Sequence, residues 1–125
     1  MNAKRFSRSV GYALRGLAYG IRVEKHFRVH LIIAVLVIGC GVWLGIGIQQ
    51  WTVISLCIAL VLVSELVNTA VERVVDLATT EYHPLAEAAK NVAAGAVLLA
   101  ALGAVVCGVL ILGPPLWLVM KQVFR

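Results

Sequence analysis

The chain has 125 residues, enough for one domain and no more. Hydrophobic residues make up 62% of it, only 14% are charged, and the mean hydropathy is +0.97. So little polar surface excludes a water-soluble globular protein and makes the chain an integral membrane protein, while the net charge of +5 points to anionic lipid or nucleotide rather than nucleic acid.

Residues 1–28 read as an amphipathic helix and its connection. Phe6, Val10, Ala13, Leu14, Leu17, Ala18 and Ile21 recur at helical spacing on one face, with Arg5, Arg8, Tyr12, Arg15, Tyr19 and Arg22 opposite. Such a helix lies in the membrane interface, where the arginine face serves either as a lipid anchor or as a phosphate contact. There is no continuous apolar core of the kind a cleavable signal requires. Glu24 is the only acid before residue 65, and among so many cations its ordinary role is that of a salt-bridge partner.

Three apolar stretches are long enough to span a bilayer: His30 to Ile48, Trp51 to about Val75, and Val92 to Leu112. They predict membrane helices over residues 29–48, 51–77 and 84–112. Gln49-Gln50 forms the first turn, and Thr79-Thr-Glu-Tyr-His-Pro84 is the one substantial loop. Pro84 suits a first helical turn, and Gly113-Pro-Pro115 predicts a helix stop. His83, Glu87, Lys90 and Asn91 share one side of the third helix, followed by the small residues Ala93, Ala94, Gly95 and Ala96 that let helices approach closely. Trp51 and Trp117 suit interfacial anchors. Cys40, Cys57 and Cys107 have no metal-ligand spacing and read as packing residues.

Lys4, Arg5, Arg8, Arg15, Arg22, Lys25 and Arg28 precede the first span, whereas Gln49-Gln50 is uncharged. The positive-inside rule therefore puts the N-terminus and the Asp76–Lys90 segment in the cytoplasm and the C-terminus outside. Lys121 and Arg125 weakly oppose that assignment.

The most informative feature lies on the second span. At about 100° per residue, Glu65, Asn68, Glu72 and Asp76 fall within about 80° of one another and form one polar stripe on an apolar helix. Ionisable groups at such depth mark function. Glu65 is about 21 Å in from Trp51, and Glu72 and Asp76 lie nearer the cytoplasmic water. A reaction that joins a lipid headgroup to a soluble substrate needs this gradient. Carboxylates at the wet end can hold Mg²⁺ with substrate phosphates, and a deeper carboxylate can take a proton from a lipid hydroxyl. No Gly-x-x-x-x-Gly-Lys-Ser/Thr loop and no protein-kinase signature set is present, so neither common nucleotide fold is in use. Depth alone leaves three readings open: an enzyme, a small proton-coupled transporter, and a polar assembly seam.

The segment Glu65-Leu-Val-Asn-Thr-Ala-Val-Glu-Arg-Val-Val-Asp76 resembles the Glu-x-x-Asn-(Ser/Thr)-Ala-(Ile/Val)-Glu-x-x-Val-Asp signature of prokaryotic diacylglycerol kinases and undecaprenol kinases. Ala89-Lys-Asn-Val-Ala-Ala-Gly-Ala-Val-Leu-Leu99 resembles their third-helix motif. Glu81-Tyr-His83 sits between the two as in the family, and Gly11-Tyr-Ala-Leu-Arg-Gly-Leu17 and Glu24-Lys-His-Phe-Arg28 match upstream. The resemblance implies an all-α homotrimeric bundle of three-span subunits, each with an amphipathic surface helix, in the bacterial inner membrane. Its composite sites would use ATP with Mg²⁺ to phosphorylate a lipid alcohol.

By the same resemblance Glu65 is the general base, Glu24 and Glu72 are metal ligands, and Asn68 helps to position phosphate. Arg5, Tyr12, Asp76, Glu81, His83, Lys90 and Asn91 match positions lining the nucleotide site. Asn91 departs from the family, which carries Asp there; the amide keeps the shape and one acceptor but not the charge. Phe27-Arg-Val-His-Leu31 and Val92-Ala-Ala-Gly-Ala-Val97 favour the undecaprenol branch, which makes undecaprenyl phosphate, over diacylglycerol kinases, which make phosphatidic acid.

Overall fold

The computed structural model describes residues 3–124, with the side chains of Ala3 and Lys4 left undescribed. Arg125 lies outside the described residues. The chain is four helices: α1 (Ala3–Val23), α2 (Lys25–Leu44), α3 (Ile48–Ala78) and α4 (Pro84–Val123). The last three are each long and apolar enough to cross a membrane. α3 and α4 share the most extensive contact, α2 packs against both, and α1 touches α2 and α3 near its C-terminal end.

Glu24 breaks the chain between α1 and α2, with extended φ −97° and ψ 115°. The end of α1 is held by Arg28, whose Nη1 donates to the carbonyls of Arg22 (3.2 Å) and Ile21 (3.5 Å). Helix termini leave such carbonyls without an internal partner, and a cation is favourable there. Gly20 is the close approach: a Cβ built there would lie 2.8 Å from Leu66 Cδ2 of α3.

The first turn lies earlier than the sequence predicts. Gly45 takes the left-handed conformation (φ 64°, ψ 40°), its N–H donates to Val42 O, and Ile46 N–H donates to Gly41 O, both at 3.2 Å. This is a Schellman closure, which glycine makes without strain. Gln49 and Gln50 therefore belong to the first turn of α3. Gln50 Oε1 accepts from Gly47 N–H at 2.7 Å, closing the start of the helix. Trp51 packs back across Gly41, where an added Cβ would meet its ring at 3.0 Å. It is a helix–helix contact as well as a candidate anchor.

The end of the last helix is also corrected. α4 continues through Pro114 and Pro115 to Val123 instead of stopping at Gly113. In water a proline inside a helix costs about 3 kcal/mol through a lost hydrogen bond and a clash. Membrane helices tolerate it because neighbouring groups and local adjustment satisfy the freed carbonyls. At the other end Pro84 occupies the first turn as predicted, and His83 caps it, its Nδ1 accepting from Leu85 N–H at 3.2 Å.

Among the described residues, the buried apolar side chains are Phe27, Ala34, Ile54, Val61 and Leu112. Phe27 and Ala34 set the inward face of α2, and Ile54, Val61, Glu65 and Thr69 set that of α3. The polar stripe thus begins on a buried face.

Gly45→Ala should lower stability by about 1–2 kcal/mol, the cost of a Cβ in the left-handed region. Gly39→Ala, inside α2 where a Cβ meets nothing within 4 Å, should instead be neutral to stabilising, by up to about 1 kcal/mol. Denaturant unfolding in detergent measures both.

Candidate active site

Four residues spaced along α3 build the stripe, and their exposure rises in order. Glu65 is 5% exposed, Asn68 and Glu72 are half-buried, and Asp76 is exposed. The helix produces this gradient because its deep half packs against its neighbours while its last turn reaches the open cleft beside the loop and the start of α4.

Glu65 is held from α2. His30 Nε2 lies 3.1 Å from Glu65 Oε1. One turn further along α3, Asn68 Nδ2 donates to Glu72 Oε1 at 2.9 Å. Asn68 Oδ1 is buried and has no hydrogen-bond partner. A buried acceptor without a donor is costly and calls for a ligand, a water or an ion. Mg²⁺ prefers oxygen ligands and keeps several waters and phosphates, using only one or two carboxylates. The Asn68 amide oxygen beside the Glu72 carboxylate fits that chemistry. Among the described residues no three His, Cys, Asp or Glu side chains gather into a protein-only cage.

Glu24 makes an ion pair: Arg73 Nη2 donates to its Oε1 at 3.0 Å. The Arg73 guanidinium also lies 5.9 Å from the Tyr19 ring centre, so one side chain of α3 binds both α1 and the α1–α2 junction. The ordinary expectation for Glu24, a salt-bridge partner, is what the single chain displays.

At the wet end of the stripe a cleft of about 570 Å³ opens between the end of α3, the loop and the start of α4. Asp76, Glu81, His83, Glu87 and Lys90 line it. Lys90 Nζ donates to Asp76 Oδ1 at 2.6 Å across the cleft. The loop is braced by Thr79, whose hydroxyl accepts from Glu81 N–H and donates to Glu81 O, both at 3.2 Å. The cap bond at His83 Nδ1 leaves Nε2 free of that duty.

Four of the residues matched to the nucleotide site, Asp76, Glu81, His83 and Lys90, thus meet in one cleft. Asn91 does not line it and is exposed. Arg5 and Tyr12 are exposed on α1 and are not part of the cleft lining. The Arg15 guanidinium lies 5.8 Å from the Tyr12 ring centre. Sequence reasoning missed His30 and Arg73 as partners of Glu65 and Glu24. Only His30 carried a usable signal, lying one turn from Phe27 on the face of α2 that turns inward.

Residues 11–112 match the family described as prokaryotic diacylglycerol kinase. The chain belongs to that family. It is 42% identical to an undecaprenol kinase of Bacillus subtilis over 112 residues, 90% of this chain and 91% of that protein. It is 44% identical to a diacylglycerol kinase of Synechocystis over 109 residues, 86% of this chain but 62% of that longer protein. It is 31% identical to the diacylglycerol kinase of Escherichia coli K12 over 102 residues, 82% of this chain and 84% of that protein. The family match begins at Gly11 and ends at Leu112, so it spans the stripe, the cleft and all but the first turns of α1.

The Asp76 and Lys90 side chains are 51% and 40% exposed. Water and salt screen solvent-exposed pairs of this kind, so they add little to stability. Lys90→Met and Asp76→Asn, singly and together, should therefore show additive effects, with no resolvable coupling, in a double-mutant unfolding cycle.

Proposed function

We propose that the protein phosphorylates a membrane lipid alcohol with ATP, and that the preferred alcohol is undecaprenol. The observation that carries the reading is the continuous polar stripe from the buried Glu65 carboxylate to the open cleft holding Asp76, Glu81, His83 and Lys90. One end suits a hydroxyl that never leaves the bilayer, the other a nucleotide that never enters it. Membership of the kinase family supports the same division. The near end-to-end correspondence with the undecaprenol kinase, together with Phe27-Arg-Val-His-Leu31, favours the polyprenol. The 44% identity to a diacylglycerol kinase keeps diacylglycerol as the second reading.

In this proposal Glu65 accepts the proton of the lipid hydroxyl. The freed oxygen forms a bond to the γ-phosphorus, the bond from that phosphorus to the bridging oxygen breaks, and ADP leaves. Lys90 and the arginines of α1, Arg5 among them, neutralise phosphate charge, with Tyr12, Asp76, Glu81, His83 and Asn91 about the nucleotide. Glu24 and Glu72 would hold Mg²⁺, with Asn68 beside Glu72 positioning phosphate. Bound there, the ion would neutralise the charge on the β- and γ-phosphates. For Glu24 this requires Arg73 to release it.

We also infer an assembly and an orientation. Arg5 and Tyr12 on α1 are not part of the cleft lining within one chain, which favours a homotrimer with sites shared between chains. α1, with its arginine and apolar faces, would lie on the cytoplasmic surface of the bacterial inner membrane, the N-terminus inside.

The direct test gives purified protein in mixed micelles labelled ATP with undecaprenol or diacylglycerol. Label in undecaprenol supports the reading, label in diacylglycerol alone supports the second, and no label with ion flux in liposomes supports a transporter. Glu65→Gln should lower lipid phosphorylation by ~10²–10⁴-fold while leaving folding and ATP binding intact. Near-normal turnover would remove Glu65 from the chemistry. Glu24→Ala and Glu72→Ala should each shift the Mg²⁺ activation curve to higher concentration; superimposable curves would make both residues structural. Mixing Glu65→Gln subunits with Glu24→Ala subunits should restore activity if sites are shared, and no recovery at any ratio would place each site within one chain.

A further inference from the structure

We propose that His30 is a positioning residue for Glu65: it holds one carboxylate oxygen so that the other faces the lipid hydroxyl. The inference rests on the lipid-kinase reading above and assigns a role to a residue outside that machinery.

The geometry is specific. Gly45–Gly47 turns α2 back into α3, and His30 and Glu65 stand about 22 and 27 Å from that turn on the two helices, hence at a similar level. Their side chains meet at 3.1 Å, Nε2 to Oε1. The imidazole cannot easily swing away, because Phe27 and Ala34, one turn to either side, are 2% and 8% exposed and pin this face of α2 against its neighbours. His30 also ends an apolar cleft of about 440 Å³ between α2, α3 and α4. Its lining is hydrocarbon apart from His30, Cys57 and Cys107. Among the described residues no other side chain bonds the Glu65 carboxylate.

A base of this kind needs direction as well as basicity. A glutamate side chain is flexible, and efficient proton transfer requires the accepting oxygen within hydrogen-bond reach of the hydroxyl. An imidazole carrying a proton on Nε2 donates to Oε1, leaving Oε2 available. The bond also satisfies part of a carboxylate that apolar surroundings would leave poorly solvated. A purely structural histidine would contribute to folding and leave turnover per folded protein unchanged, so the two roles separate experimentally.

The experiment compares the parent with His30→Ala, His30→Leu and His30→Gln, reading lipid phosphorylation per folded protein together with thermal unfolding in detergent. Losing one hydrogen bond to a charged group should lower kcat by about ten- to hundredfold, with KM for ATP little changed. His30→Gln, whose amide can donate to Oε1, should recover most of kcat. Should His30→Ala lose folded protein, His30→Leu fills the space without a donor and gives the same reading. An active parent with kcat unchanged in the Ala or Leu variant overturns the positioning role alone, as does a Gln variant no better than Leu. A parent that phosphorylates neither lipid overturns the kinase reading and this role with it.

Discussion

A carboxylate buried among hydrocarbon has to be bonded, and that constraint organises this molecule. Glu65 cannot face lipid, so the face of α3 that carries it must turn toward α2 and α4. Once that rotation is set, Thr69 follows it inward, Asn68 and Glu72 sit at the edge of the packed face, and Asp76 emerges into the open cleft between the end of α3 and the start of α4. The His30 bond then ties the level of α2 to that of α3. The turn at Gly45 and the close approach of Trp51 to Gly41 make that level possible from the far end.

Little else holds the single chain together. Among the described residues few apolar side chains are buried, while Val35, Leu36, Leu56, Leu60, Leu99 and Leu110 are exposed. In a bilayer such surface costs nothing against lipid tails, and helix association depends instead on close packing of small residues and on polar bonds. Polar contacts therefore add to the sparse apolar packing between elements. Arg73 binds the α1–α2 junction, Arg28 closes α1, and Lys90 links α4 to the end of α3. Each also stands at or beside a residue matched to the nucleotide or metal site. In this chain the polar groups that stabilise the arrangement and those proposed to act on substrate largely coincide.

Length has a similar double meaning. α3 and α4, with 31 and 40 residues, extend about 46 and 60 Å, well beyond a hydrocarbon core of about 30 Å. The surplus at the end of α3 and the start of α4 builds the cleft outside the apolar zone. The surplus beyond Pro115 carries Trp117 and Lys121, whose ammonium lies 5.4 Å from the indole ring centre.

The sequence by itself determined the class, the approximate spans, the stripe and the family. Hydropathy and helical spacing are one-dimensional properties: residues three or four apart share a face whatever surrounds them. The Glu81–His83 loop and the start of α4 at Pro84 were legible for the same local reason. What only the tertiary structure decided were the partners across helices, His30 for Glu65 and Arg73 for Glu24, because contacts between helices depend on relative level and rotation. The turn moved to Gly45, since any of several glycines and glutamines there is compatible with a bend and only packing against Trp51 selects one. α4 ran on through Pro114 and Pro115 because the rule that proline ends a helix belongs to water, where a freed carbonyl and a broken turn have easy alternatives.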